Sequence, residues 1–478
     1  MTDLTITALT KKADIKFGTS GLRGLVTDLT DEICYAFTNV FLASQGAKAV
    51  AIGHDLRPSS PRIAKACIAA ATSLGIDCHY IGPLPTPALA YYCLVKKFPG
   101  IMITGSHIPY DRNGLKFYRA DGEITKDDEA LIMRSSLTLP SSDLSCELPD
   151  INHEALALYT QRYLDFFGAN FLSRRTIAIY QHSGVARDFL NDLFTSLGAK
   201  TVLLGRAETF IPIDTEAVSD EDHAQAIHWA NEHAFDMLVS TDGDADRPLI
   251  ADEKGHYIRG DILGTLTAQY LHADHVVTPV TSNTSVEITP TFKSVTRTKI
   301  GSPYVIERMM TQATESPNST VVGYEANGGF ILGSTIKNNG TSLLPLPTRD
   351  AILPMLCTMA MSIKKHSSVS TLLEELPDRY THSDRLQDFS STQSGQLLNL
   401  LRSNPLRITK ALSEDPGSVL NSDETDGLRL TFENGDIVHI RPSGNAPELR
   451  CYAESDSDKK SKQIVNECLK GIRALEDN

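Results

Sequence analysis

The sequence predicts an α/β protein of repeated units with mixed, mostly parallel sheets, closed by a smaller C-terminal α+β domain. Three observations carry that prediction. A strand–helix–strand pattern over 49–82 recurs over 176–205, and both copies hold Ser-Leu-Gly with another glycine seven residues on. A looser third copy runs over 294–323. The stretch 427–440 reads instead as two strands joined through Asn434-Gly435, a strong hairpin signal.

Taken in order, Ala49 to Ile52 is a short apolar strand that stops at Gly53. The helical pattern from Pro61 to Leu74 stops at Gly75, and Cys78 to Ile81 leads to Gly82. Two such strands joined by a crossover helix form a βαβ unit, which favours a parallel sheet. Gly100 to Ile103 is a further strand, and Ser135 to Pro149, rich in Ser and Pro, suits a linker. The second copy has strand Thr176 to Ile179, helix Ala186 to Leu197 and strand Thr201 to Leu204, followed by strand Phe235 to Val239. The third has Ser294-Val295, a helix around Val305 to Met310, and Val321 to Gly323. A turn-rich stretch, Asn338 to Pro347, precedes a helical run from Arg349 to Lys364. Asn-Gly tolerates the positive φ angles of a tight turn between Gly427–Phe432 and Asp436–Ile440, and a helix over Ser457 to Leu475 closes the chain.

Composition narrows the function. The 478 residues suggest about three domains. With 41% hydrophobic and 22% charged residues the chain has a soluble globular balance. A net charge of −14 argues against a protein whose main task is to grip nucleic acid or an anionic membrane. The opening residues lack a basic-then-apolar leader pattern, and no apolar run reaches the roughly 18 residues of a membrane span. Eight scattered cysteines form no C-x-x-C pair and read as free, mostly buried thiols of a cytoplasmic protein.

Four polar segments carry the chemistry. Thr104-Gly105-Ser106-His107-Ile108-Pro109, continuing to Asn113-Gly114-Leu115-Lys116, places a hydroxyl on a turn beyond a strand. That suits phosphoryl transfer, with Lys116 to neutralise phosphate or move a proton; a capped polar turn is the structural alternative. No G-x-S-x-G is present, and adjacent Ser-His does not make an acyl-transfer triad. Ser240 to Arg247 holds Asp242, Asp244 and Asp246, which would repel one another unless solvated or bound to a hard cation such as Mg²⁺ or Ca²⁺. With Glu253 they nearly match an EF-hand, but Arg247 stands where Gly is required and a strand precedes the loop. A phosphatase with Asp242 as nucleophile also fits an Asp-x-Asp after a strand. Gly323 to Phe330 offers Glu325 and Asn327 to sugar hydroxyls. Arg441-Pro442-Ser443-Gly444-Asn445-Ala446-Pro447, then Arg450, can cradle a phosphate with guanidinium groups and turn amides. Phe17 to Gly24 is a Gly-rich loop carrying Arg23 that lacks the G-K-[ST] of a P-loop, and Gly53 to Ser60 runs into a helix start.

Together, in this order, these segments resemble the α-D-phosphohexomutase family. The resemblance implies four domains around a central cleft, 1–150, 151–256, 257–372 and 373–478, the first three alike. It implies interconversion of hexose 6-phosphate and hexose 1-phosphate, through a phosphoserine at Ser106 and a hexose 1,6-bisphosphate that turns end for end. Ser106, Asp242, Asp244 and Asp246 would hold Mg²⁺. Lys116, Arg23 and His107 would be the catalytic groups, with Lys116 favoured for proton movement because Arg holds its proton too tightly. Arg247, Glu325, Asn327, Arg441, Ser443, Gly444, Asn445 and Arg450 would bind the sugar phosphate. The expected partners are small sugar phosphates, with neither nucleic acid nor membrane, and the chain a monomer or homodimer.

Two departures bear on the sugar. The family's sugar loop often reads G-E-x-S-G-H, whereas Asn327 takes the Ser place and Gly329 stands where His is frequent. Asn445-Ala446 replaces a frequent Thr-Glu in the phosphate loop. The expectation is a phosphomannomutase or phosphoglucomutase. The Glu-Ala-Asn-Gly wording makes phosphoglucosamine or N-acetylglucosamine-phosphate mutase the alternative, with a metal-dependent sugar phosphatase or a non-catalytic sugar-phosphate sensor further off.

Overall fold

The computed structural model describes residues 4–11, 13–18, 21–137, 144, 146–338, 340–443 and 448–476. Its first three large sheets share one strand order. In the first, Asp77–Pro83, Ala49–His54 and Gly100–Ile103 lie parallel in that spatial order, and Arg112–Arg119 then Leu22–Leu25 extend the sheet antiparallel. The second repeats this with Lys200–Arg206, Thr176–His182, Met237–Thr241, Pro248–Ala251 and Tyr257–Ile258. The third uses Ser294–Thr298, His275–Pro279, Val321–Tyr324, Phe330–Leu332 and Leu346–Asp350.

The third repeat is therefore out of phase with the sequence reading. Ser294–Thr298 and Val321–Tyr324 do not pair; both lie against His275–Pro279. The equivalent of 49–82 is 275–298, whose crossover helix has shrunk to Ser285–Ile288. Four residues make about one turn, too short to leave a 3.6-residue signature.

Alternate side chains of the first sheet face opposite cores. Val50 and Ile52 pack with helices Asp31–Gln45 and Ser60–Ser73, while Ala51 joins helix Thr86–Lys96. That second core continues without a break through helices Glu154–Phe167, Arg187–Ser196 and Ile352–Lys365. The linker expected over 135–149 is partly structured. Ser136–Leu137 pairs with Leu4–Thr5, and Cys146 and Leu148 pack on the first domain; residues 138–143 and 145 lie outside the described residues.

The last sheet is wholly antiparallel, in the order Tyr380–Gln387, Glu448–Ser455, Ile437–Pro442, Leu428–Phe432 and Val419–Asp423. Helices Ser391–Ser403 and Asp458–Glu476 accompany it. The expected hairpin is present, but its turn differs. Gly435 has φ 85° while Asn434 keeps a negative φ, and the Gly435 N–H bonds the Phe432 carbonyl at 3.0 Å. The loop is thus a three-residue bulged turn. No disulfide joins any of the eight cysteines, and six are buried. Among the described residues no helix is long and apolar enough to cross a membrane.

Candidate active site

The repeat places three loops in equivalent positions. Each connects the third parallel strand to its antiparallel neighbour: 104–111 after Gly100–Ile103, 242–247 after Met237–Thr241, and 325–329 after Val321–Tyr324. Carboxyl ends of parallel strands are where α/β sheets gather ligands. Here the three loops meet.

Ser106 is buried and sits at φ 53°, a left-handed conformation that a side chain adopts only when its surroundings impose it. Its N–H donates to Thr104 Oγ1 at 2.7 Å. Arg57 braces the loop from beneath. It donates to the carbonyls of Ser106 at 2.9 Å, Ile108 at 2.5 Å, Pro109 at 2.6 Å and Arg112 at 3.0 Å, pairs with Asp55 at 3.2 Å and stacks on Phe210. Gly105 must be glycine, because a Cβ there would lie 2.4 Å from the Arg57 guanidinium carbon. Arg23 reaches in from strand Leu22–Leu25 and donates to the Thr104 carbonyl.

The Ser106 hydroxyl donates to Asp242 Oδ2 at 2.6 Å. Lys116 Nζ donates to Asp244 Oδ2 at 2.6 Å and Asp246 Oδ2 at 2.5 Å, and Thr86 Oγ1 donates to Asp244 Oδ2 at 2.6 Å. Burial, with Asp244 and Asp246 alongside, pushes Asp242 up to about 8. Burial also opposes ionisation of Asp246, but Arg349, Lys116 and Arg247 outweigh it and hold that carboxyl well below the usual range. His107 Nδ1 accepts from Arg247 Nη1 at 3.0 Å and lies 3.3 Å from Ser106 Oγ. The Arg247 charge, reinforced by burial, lowers His107 to about 3, so this imidazole is neutral and offers no acid proton at neutral pH.

The three carboxylates fit a hard cation. One oxygen from each lies within 4.8 Å of the others, and Asp244 Oδ1 and Asp246 Oδ1 are buried with no hydrogen-bond partner. All-oxygen donors of this charge suit a hard divalent cation. Glu253, the would-be twelfth EF-hand ligand, is instead bonded to the N–H and hydroxyl of Ser370.

Glu325 and Asn327 are both buried. Asn327 Oδ1 accepts from the Gly329 N–H at 3.0 Å, and its carbonyl accepts from Thr215 Oγ1 at 2.8 Å. Glu325 Oε2 accepts from Arg349 Nη1 at 3.0 Å, and Arg349 Nη2 donates to Asp246 Oδ2 at 2.7 Å.

On the last sheet Arg441 and Arg450 are direct cross-strand partners, and both Nε atoms are buried without a hydrogen-bond partner. Each has a carboxylate neighbour, Asp426 at 3.8 Å from Arg441 Nη1 and Glu448 at 3.7 Å from Arg450 Nη2, which offsets the like charges placed opposite each other. Arg450 also lines a 620 Å³ cleft between the second and fourth domains, with Asp214, Glu216, Arg385 and Tyr452. The Ser443 N–H bonds the Glu448 carbonyl at 2.8 Å. Gly444 and Asn445 lie outside the described residues.

The fold thus brings Arg23, Ser106, His107, Lys116, Asp242, Asp244, Asp246, Arg247 and Glu325 into one network, with Asn327 on the same loop as Glu325 but bonded only to Gly329 and Thr215. Sequence reasoning missed Asp55, Arg57, Thr86 and Arg349. One signal was present, the His54-Asp55-Leu56-Arg57 loop itself; Arg349, expected to open a helical run, lies instead on strand Leu346–Asp350, and the helix begins at Ile352.

Comparison with known proteins agrees with this arrangement. Residues 14–140, 161–255 and 259–380 match the phosphoglucomutase/phosphomannomutase alpha/beta/alpha domains I, II and III, and 397–470 match the C-terminal domain of the same family. The chain is 48% identical over 468 residues to a phosphomannomutase of Salmonella muenchen, covering 97% of this chain and 96% of that one. It is 43% identical over 471 residues to a phosphomannomutase of Sinorhizobium fredii, covering 95% and 98%. A phosphoglucosamine mutase of Agrobacterium fabrum is 29% identical over 478 residues, covering 95% and 97%. Among solved structures, a phosphoglucomutase/phosphomannomutase family protein from Burkholderia thailandensis shares the fold with a TM-score of 0.71 at 19% identity, over 96% of this chain and 97% of that one. The Paramecium phosphoglucomutase in its open form does so at 0.68 and 16%, over 96% and 95%. The repeated sheets, the serine loop against three carboxylates and these matches lead to one conclusion: the chain belongs to the phosphoglucomutase/phosphomannomutase family and is an enzyme that transfers phosphate within a molecule.

Proposed function

We propose that this enzyme interconverts mannose or glucose 6-phosphate and the corresponding 1-phosphate, using Ser106 as phosphate carrier. The observation that carries the reading is the Ser106 hydroxyl, 2.6 Å from Asp242 at the edge of a three-carboxylate cluster. The reading divides the chain after residues 150, 256 and 372. It places the protein in the cytoplasm, consistent with eight cysteines outside any disulfide, as a monomer or homodimer.

In the resting enzyme Ser106 carries a phosphate. Asp242, Asp244, Asp246 and that phosphate would hold one Mg²⁺, which offsets charge on the transferring group. The substrate's own phosphate rests on Arg441, Ser443, Gly444, Asn445 and Arg450, while Glu325 and Asn327 bond its hydroxyls and Arg247 contacts the reacting phosphate. The P–O bond to Ser106 breaks as a P–O bond to the sugar's free hydroxyl forms. The Lys116 ammonium gives a proton to the departing Ser106 Oγ and takes one from the attacking sugar hydroxyl, so no charge is left on either oxygen. Burial lowers Arg23 to about 10, still protonated at neutral pH, so Arg23 steers phosphate by its charge. His107, neutral and accepting from Arg247, holds that guanidinium beside Ser106. The hexose 1,6-bisphosphate then reverses in the cleft and returns its other phosphate to Ser106.

A second reading, glucosamine or N-acetylglucosamine phosphate, draws on Glu325-Ala326-Asn327-Gly328. A coupled assay across mannose, glucose, glucosamine and N-acetylglucosamine phosphates ranks the substrates by kcat/KM. The mutase reading expects stimulation by a hexose 1,6-bisphosphate and loss of isomerisation in Ser106→Ala. A Ser106→Ala enzyme that still turns over and releases free phosphate would be a phosphatase.

A further inference from the structure

The outermost strand of the third sheet, Leu346–Asp350, delivers a single guanidinium into the floor of the site. Arg349 is only 3% exposed. Its two terminal nitrogens divide between loops of different domains, Nη1 to Glu325 and Nη2 to Asp246. Burial opposes its charge, but Asp246 and Glu325 more than compensate. A planar fork can hold two carboxylates at a fixed separation, which a lysine ammonium on a flexible stem cannot.

Gly329 supplies an independent observation. Its φ lies outside the left-handed region, so its backbone would accept any residue. Space is what excludes one. A Cβ at 329 would lie 2.5 Å from Arg349 Cδ and 2.8 Å from Cγ. The arginine stem occupies the volume that a side chain at 329 would need. Where the sugar loop lacks its frequent histidine, a cation arrives from another strand.

We infer that Arg349 is a positioning residue for sugar recognition, which holds Glu325 in orientation and ties the sugar loop to the metal loop through the space left open at Gly329. This rests on the reading of Glu325 as a ligand of the sugar hydroxyls. It makes Arg349 act through Glu325 instead of touching the sugar itself.

Calorimetric titration with mannose 1-phosphate tests this in a Ser106→Ala background, where binding is measured without turnover. Arg349→Met should weaken binding about 10-fold or more, and Arg349→Lys should fall between it and the parent. Gly329→Ala, which displaces the stem without deleting the charge, should weaken binding about 3-fold or more. Combined with Arg349→Met, it should add nothing. Glu325→Gln with Arg349→Met should bind no worse than Glu325→Gln alone, because two residues acting as one unit are not additive. If Glu325→Gln weakens binding while Arg349→Met does not, the inference fails by itself. Losses that multiply in the double variant would also overturn it, since Arg349 would then contact the ligand directly. Unchanged binding in Glu325→Gln would instead remove the sugar-ligand reading of Glu325, and this inference with it. Should Arg349→Met not fold, Gly329→Ala decides: parental affinity in that variant overturns the inference.

Discussion

The first three domains and the fourth are held together by different physics. The three repeats share one continuous apolar core: Leu89 and Tyr92 of the first, Tyr159 and Phe189 of the second, Tyr324 and Met355 of the third. The fourth domain keeps its own core of Leu386, Leu401, Ile440 and Val465. It is tied to the third by polar contacts. Thr284 bonds Glu454 and accepts from Arg379, Asn283 bonds the Arg379 carbonyl and Thr381, and Asp426 accepts from the Ile300 N–H. Polar interfaces between domains open at lower cost than shared apolar cores. The division matches the tasks. Serine, carboxylates and sugar loop lie in the body, where transfer needs fixed geometry. Arg441 and Arg450, the proposed cradle, lie on the domain with the polar joint, which suits the proposed reversal of a sugar in place.

The largest effect should come from the rigid side. Asp244→Ala deletes a carboxylate that holds Lys116 and Thr86 and belongs to the cation cluster. We expect kcat to fall at least about 10³-fold, with the isolated chain still folded by circular dichroism. Full Mg²⁺-dependent activity in that variant would mean the cluster is structural and the comparison misplaced.

A pair of core truncations compares the two regions directly. Phe189→Ala, in the shared core, should cost roughly 3–5 kcal/mol and lower the melting of the three-domain body as a whole. Leu401→Ala, in the fourth domain, should cost roughly 2–5 kcal/mol but shift only one transition. Scanning calorimetry reads both. A single transition that moves equally for either variant would show that the polar joint couples the domains as tightly as a core does.

What could be read from the sequence follows the same line. Ser106 and the three aspartates were legible because their chemistry is packed into short runs, and a local pattern survives folding. Arg57, Thr86 and Arg349 were not, because they act on residues far along the chain. Arg349 meets Asp246 across 103 positions, and Thr86 meets Asp244 across 158. No spacing rule spans such a gap. The first two repeats could be read from their full-length crossover helices; the third slipped by one element where the helix shrank to Ser285–Ile288. At the fourth-domain turn the Asn-Gly signal located the hairpin correctly. It did not reveal that Gly435 alone would take the positive φ.

The smallest expected effect is a pH dependence that acts on the fourth domain. His439 is buried on strand Ile437–Pro442, bonded through Nε2 to the Asp426 carbonyl at 2.5 Å and stacked on Tyr452. Burial lowers its pKa to about 4, and Arg441 and Arg429 add to this, against the pull of Asp426; Asp423 is the other carboxylate in electrostatic contact. A folded pKa below the unfolded value of 6.5 means the neutral ring is the one the fold accepts. That stability is fully present above about pH 6.5 and is lost as pH falls toward 4, where the unfolded chain takes up the proton first. Between pH 7.5 and 5.5 the loss is about 1 kcal/mol, or roughly 4–8 °C in the melting of a domain of this size. The fourth-domain transition should therefore separate further from that of the body on mild acidification, and His439→Gln should remove about that much of the slope. An unchanged slope in the variant would show that the acid sensitivity of the fourth domain does not arise at the buried ring.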